Sequence, residues 1–272
     1  MGSKDQQNPP FSEQIRHAQF YHNDRLIALC SGNKLNFYKF ELPNQDGVAA
    51  DDVKRLQQRG LYKLVQTFEH PTAQHIPSFS LHNARAQSHI GLVGGSNKEL
   101  LVLDVNLNRP VLVVNDTHFK HVHTVKFYEG SYAKGDPDSL NTFLTASADN
   151  TIKLWDLRVG SATGLCPVRE YTGGHQNRSQ QIGFEISNCY RYLVTGSECR
   201  SAFVYDIGSG QVIEKTKNSW HGDAVTGISF NPIYNEWATA SIDGHARVFR
   251  YPAFKTKAKP RGNPAGGLQV RG

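Results

Sequence analysis

Apolar and polar positions alternate with a period of two along most of this chain, in short runs bounded by Gly, Asn, Asp and Ser, and that pattern predicts β-strands joined by tight turns. The clearest run is Asn141–Arg158. An apolar, β-branched strand, Thr142–Ala146, leads into a turn at Asp149 and Asn150. A second strand, Thr151–Trp155, then sets Ile152 and Leu154 on one face and Thr151, Lys153 and Trp155 on the other, and closes on Trp155-Asp156.

The same pattern recurs with substitutions. Tyr192–Asp206 ends in Tyr205-Asp206, and Glu236–Arg250 keeps Asp243 six residues before Phe249, the spacing of Asp149 to Trp155. Ile90–Asp104 carries Leu103 at the Trp position, and Leu26–Phe40 is the weakest copy. A His followed by a short apolar strand precedes the later copies: His118 before Val125 and Phe127, His175 before Ile182 and Phe184, and His221 before Ile228 and Phe230. His70, before Ile76 and Phe79, fits with two extra residues. Leu103, Trp155, Tyr205 and Phe249 follow one another at 52, 50 and 44 residues, and repeats of that length with about four strands each predict propeller blades.

The Trp-Asp ending, the His ahead of it and the period together resemble the WD-repeat β-propeller family. The resemblance implies an all-β fold with five recognisable four-stranded blades, at about 14–67, 75–114, 122–171, 179–215 and 224–251, in an incomplete or open ring. Residues 1–13 are expected to be a disordered lead. The polar stretch 41–60 is expected as an insert in blade one, with room for a short helix over 49–58, and 130–139 as an insert in blade three. Only three strands are legible in blade five. No fourth strand can be read after Tyr251-Pro252, and the lead, with Pro9 and Pro10, offers no replacement. An unfilled edge and uncovered outer faces on blades one and five predict a chain that associates with itself or with further blades. The runs Ser80–His89, Val93–Val105 and Asn141–Arg158 are similar to a longer, two-propeller member of the family.

With 272 residues and 38% hydrophobic content the chain can bury the core of one β-rich domain. No apolar run approaches the roughly 20 residues that a membrane span needs, and the first residues carry no signal-peptide core. Cys189 and Cys199 fall at opposite ends of one predicted strand, and Cys30 and Cys166 lie in different blades. No disulfide framework is expected, and a reducing compartment, cytoplasm or nucleus, follows. The net charge of +6 is concentrated at one end: Lys255, Lys257, Lys259, Arg261 and Arg271 stand in 252–272 without an acid, leaving 25 basic and 24 acidic groups elsewhere. A near-neutral body argues against nucleic acid as its partner. The basic, Gly- and Pro-rich tail is expected to be disordered and is the one place for nucleic-acid or lipid binding.

No catalytic signature is present, neither a Gly-x-Ser-x-Gly, a phosphate-binding Gly-rich loop, a His-Glu-x-x-His nor a Cys-x-x-Cys. By resemblance to the family, His118, Thr145, Asp149 and Trp155 form a structural tetrad that links an indole N–H, a hydroxyl, an imidazole and a carboxylate in series. Blade five keeps His221, Thr239 and Asp243 but has Phe249 in place of Trp. Blades four and two, with Cys199 and Asn97 where Asp belongs, are expected to be less well tied. His118, His121 and His123 are read as ordinary strand residues rather than metal ligands. Trp155, Asp156 and Arg158 resemble the docking box by which some family members bind the adaptor of cullin-based ubiquitin ligases, where Arg158 would make a planar, two-bonded contact. The chain is therefore expected to be a non-enzymatic protein-interaction scaffold without cofactors or metal. The alternatives are a ubiquitin-ligase substrate receptor docking through Arg158 and a nucleic-acid or lipid binder acting through the tail.

Overall fold

Alternating side chains let each short strand bury one face against a neighbouring sheet while tight turns return the chain antiparallel. The computed structural model describes residues 13–22, 25–41, 61–82, 89–128, 141–161, 164–231, 233–234 and 236–250, and these form five antiparallel sheets in chain order. Blade one is β1 (Ile15–Tyr21), β2 (Leu26–Ser31), β3 (Lys34–Glu41) and β4 (Leu61–Glu69). Blade two is β5 (Ser78–Leu81), β6 (Ile90–Gly94), β7 (Leu100–Asp104) and β8 (Arg109–Val114). Blade three is β9 (Val122–Phe127), β10 (Thr142–Ser147), β11 (Thr151–Ser161) and β12 (Gly164–Tyr171). Blade four is β13 (Phe184–Ile186), β14 (Tyr192–Thr195), β15 (Phe203–Asp206) and β16 (Val212–Lys215). Blade five is β17 (Val225–Phe230), β18 (Glu236–Ser241) and β19 (Ala246–Arg250), three strands among the described residues. Glu41, expected to open the insert 41–60, instead ends β3, and the rest of that insert, the insert at 130–139, the helix at 49–58, most of the lead and the basic tail lie outside the described residues. No described helix is long and apolar enough to cross a membrane.

Strand boundaries depart from the periodic reading at two instructive places. Pro110 lies inside β8, opposite Leu103 and beside a register shift, because the outermost strand needs no ladder donor at that position. β11 runs on past Trp155 to Ser161, with register shifts at Trp155, so Arg158 sits on the strand itself. The turns between second and third strands place Lys98, Asn150 and Arg200 in the left-handed region at φ 71, 66 and 64, with Gly244 there at φ 80. Gly244, like Gly32 at φ 57 in the same turn of blade one, takes this conformation without steric cost.

Consecutive blades pack unlike faces together. At the first junction the back of blade one, turned to the blade after it, supplies Tyr21, Phe37 and Phe68 against Phe79, Leu81, Val93 and Leu103 of blade two, whereas at the later junctions the front of the following blade supplies the larger rings. Phe127, Phe143 and Trp155 of blade three meet Leu92, Leu100 and Val102 of blade two. Phe184, Phe203 and Tyr205 of blade four meet Leu144, Ala146 and Ile152 of blade three, and Trp237 of blade five meets Val194 and Val204 of blade four. Side chains on one inner strand also bond the main chain of the next. Gln19 bonds the amide and the carbonyl of Leu81, and Ser78 and Ser80 accept the amides of Val125 and Phe127. Lys126 pairs with Glu185 across the next junction. Among the described residues no hydrophobic cluster joins blade five to blade one.

Candidate functional site

In blade three the donors and acceptors fall into a single ordered series. The Trp155 indole N–H donates to Thr145 Oγ1 at 2.8 Å, Thr145 Oγ1 lies 2.7 Å from His118 Nε2, and His118 Nδ1 lies 3.2 Å from Asp149 Oδ2. A carboxylate only accepts, so Nδ1 carries the imidazole proton and Nε2 accepts from the Thr145 hydroxyl. Asp149 is held further by the Thr151 hydroxyl at 2.6 Å and by two backbone amides, those of Thr151 and Phe119. Burial alone would raise its pKa, but His118 and Thr151, with the Phe119 amide, outweigh it and hold the carboxyl well below the usual carboxylate range. Thr145 is fully buried and Trp155 is 2% exposed, so this hydroxyl cannot reach a substrate. The series ties the loop before β9 to β10, β11 and their turn. One outcome is visible at the surface: with its amide fixed by Asp149, Phe119 stands 85% exposed on that loop.

The other blades vary the theme. In blade five His221 Nε2 meets Thr239 Oγ1 at 2.8 Å, but its Nδ1 is 3.5 Å from Asp243, and Phe249 stacks on Trp237 at 4.4 Å rather than joining the series. Blade four carries a tie that the motif did not reveal. The Tyr205 hydroxyl meets His175 Nδ1 at 2.7 Å and accepts the Gly173 amide at 3.0 Å, while Thr195 turns to backbone carbonyls. The available signal was a Tyr at the Trp position coinciding with the loss of Asp at Cys199. In blade two His70 accepts the amides of Thr72 and Ala73, and Asn97 bonds Thr72.

His121 and His123 are not placed on one strand face. His121 precedes β9, whereas His123 is buried within it and bonded to Asn177 at 3.1 Å and Thr124 at 3.0 Å. Among the described residues no group of three His, Cys, Asp or Glu side chains is placed to hold a metal ion. All four cysteines are thiols. Asp156 grips Arg158 through two side-chain bonds, Nε to Oδ1 at 3.0 Å and Nη2 to Oδ2 at 2.7 Å, so the guanidinium is presented in a fixed plane at the blade edge.

Two predictions follow from this geometry. Asp149→Ala should cost about 1–3 kcal/mol by leaving buried partners unpaired. Asp243→Ala should cost less, since Asp243 is more exposed and makes no hydrogen bond to His221. Equal shifts in melting temperature would refute the ranking. The second prediction concerns acid. Burial pushes His123 and His175 down to about 4 from an ordinary 6.5. Both are neutral in the folded chain but take up protons when unfolded below pH 6.5, so their contribution is whole above that pH and drains as pH falls toward 4. Asp149, with its depressed pKa, extends the loss into stronger acid. A melting temperature independent of pH from 6.5 to 4 would contradict this.

The comparisons with known proteins agree with the geometry. Residues 117–156, from the loop carrying His118 to Asp156, match the family model described as WD domain, G-beta repeat. Protein SPA1-RELATED 3 of Arabidopsis thaliana is 33% identical over 114 residues, which are 41% of this chain and 12% of that protein. Guanine nucleotide-binding protein subunit beta-1 of Nicotiana tabacum is 29% identical over 147 residues, 54% of this chain and 36% of that one. A chain in the crystal structure of the mitotic checkpoint complex superposes with a TM-score of 0.63 at 14% identity, over 88% of this chain and 62% of that chain. This chain therefore spans only a part of each of these proteins. Its matched repeat is the blade with the complete series of bonds, and its sheets follow one another as the blades of a β-propeller, the fold of the WD-repeat proteins it is similar to.

Proposed function

We propose that this protein is a non-catalytic scaffold that binds other proteins through the loops at one rim of the propeller. The observation that carries the reading is Phe119. The blade-three constellation of acid, base and hydroxyl groups in series is buried and spent on internal bonds, and its visible product is a loop that holds an aromatic ring out in solvent. Rigidly presented aromatic side chains are the usual anchors of protein interfaces, and loops on a rigid scaffold carry binding. The test is affinity purification from cell extract with the parent and Phe119→Glu. The variant should lose most of the captured partners while its melting temperature stays within about 0.5 kcal/mol equivalent of the parent, as for an exposed position. An unchanged partner set would overturn the assignment of this loop.

A second reading, a ubiquitin-ligase substrate receptor, is favoured by the fixed, half-exposed guanidinium of Arg158. In that case Arg158→Ala would abolish capture of the ligase adaptor and leave the Phe119-dependent partners bound. We also propose kinship with the C-terminal propeller of WD repeat-containing protein 27, on the runs Ser80–His89, Val93–Val105 and Asn141–Arg158.

A further inference from the structure

Every interior blade contact joins a front to a back, and the cross-strand rows show how. The front row Phe127, Phe143, Trp155 of blade three faces the back row Ser80, Leu92, Val102 of blade two, and the Ser80 hydroxyl takes the Phe127 amide at 3.1 Å. Blade five repeats the front with Phe230, Trp237 and Phe249, set against Val194 and Val204 of blade four.

The two ends of the array carry the two halves of this same contact. On the front of blade one, Phe20, Ile27 and Tyr38 stand in the register of Phe127, Phe143 and Trp155. Tyr38 is 8% exposed and lies against Tyr62, and Phe20, tilted against Phe40 at 5.8 Å, is 52% exposed where Phe127 is 6%. On the back of blade five, Ser229, Ala238 and Val248 stand in the register of Ser80, Leu92 and Val102. Val248 is 68% exposed where Val102 is 3%, and a recess of about 400 Å³ opens beside Ala238 and Val248. Ala238 is shorter than its counterpart Leu92, so this back has room for a ring.

We propose that the front of blade one in one copy of the chain docks on the back of blade five in a second copy, with Phe20 in the recess over Ala238 and Val248. Ser229 then faces the Phe20 main chain as Ser80 faces that of Phe127. A second copy is the occupant because each exposed face finds its complement, in matching register and chemistry, on the chain itself. The contact joins two different surfaces, so each docked copy retains one unused half and assembly continues past two. The inference is independent of what the rim binds.

Light scattering of the full chain tests it. Over about a hundredfold range of concentration, enough to move a mass-action equilibrium from largely monomer to largely associated, the mean mass should climb beyond that of a dimer. Phe20→Asp alone and Val248→Asp alone should each remain monomeric. An equimolar mixture of the two should form dimers and nothing larger, since one intact front and one intact back remain; that recovery also shows that both variants fold. A parent that is monomeric at every concentration, as when the chain closes on its own ends, would overturn the proposal. So would variants that self-associate as well as the parent, or a mixture that stays monomeric.

Discussion

Trp155→Ala is expected to destabilise the protein by about 3–5 kcal/mol, the range for emptying a buried aromatic site. Three losses coincide there. The ring is 2% exposed and stacks 6.2 Å from Phe143, it fills the front of blade three against blade two, and its N–H satisfies Thr145. Trp155→Phe separates these contributions, because it keeps most of the ring and removes only the donor. It should cost about 1 kcal/mol, the net worth of one hydrogen bond. Blade five is the internal precedent: with Phe249 at the matching position, the bond between His221 and Thr239 persists at 2.8 Å. Denaturant midpoints at constant slope would measure both, and equal losses for the two variants would show that the indole N–H, not the filled volume, holds the blade.

The second large effect is expected at Gly196. A Cβ there would lie 2.0 Å from the carbonyl oxygen of Val225 and 2.8 Å from its carbonyl carbon, both backbone atoms that cannot rotate away. Blade five is anchored at this point, by the bridge between Ser197 and Val225 and the Val225 amide on the Ser197 carbonyl at 3.0 Å. Gly196→Ala must therefore push β17 outward, at a cost of about 1–3 kcal/mol or more, the range for overpacking. The damage should be local. Hydrogen exchange should accelerate through β17, β18 and β19 while blade three stays protected. Gly183→Ala is the control, since its Cβ would meet nothing closer than Thr124 Oγ1 at 4.0 Å, and it should leave both stability and exchange unchanged.

Much of this architecture was legible before any coordinates because it rests on local rules. Alternation with a period of two marks strands whatever they pack against, and the recurrence of Asp149, Trp155 and their counterparts at a blade's length counts the units. The His, Thr, Asp and Trp of blade three were legible as a set through their resemblance to the WD-repeat family, whose repeats carry these residue types at matching positions. The Tyr205 hydroxyl was not, since its bond to His175 depends on where a ring sits across the blade, which no spacing encodes. Pro110 inside β8 and the extension of β11 to Ser161 were missed for a related reason: the ladder with an outermost strand, β8 in blade two and β12 in blade three, tolerates a lost donor or a register shift that alternation alone would forbid.

The sequence by itself determined the alternating strands, their order and the five units, because these follow from backbone periodicity and its recurrence at a blade's length. Tertiary structure alone decided which alternating face is covered. Phe20 and Phe127 read alike in the chain, as apolar positions ending a first strand, yet one is half exposed and the other buried, since burial is a property of the neighbouring blade. It also decided that Asp149 fixes the loop that exposes Phe119 and that Asp156 holds Arg158 in plane. Both depend on side chains converging from separate strands and turns, and that convergence exists only once the sheet has formed.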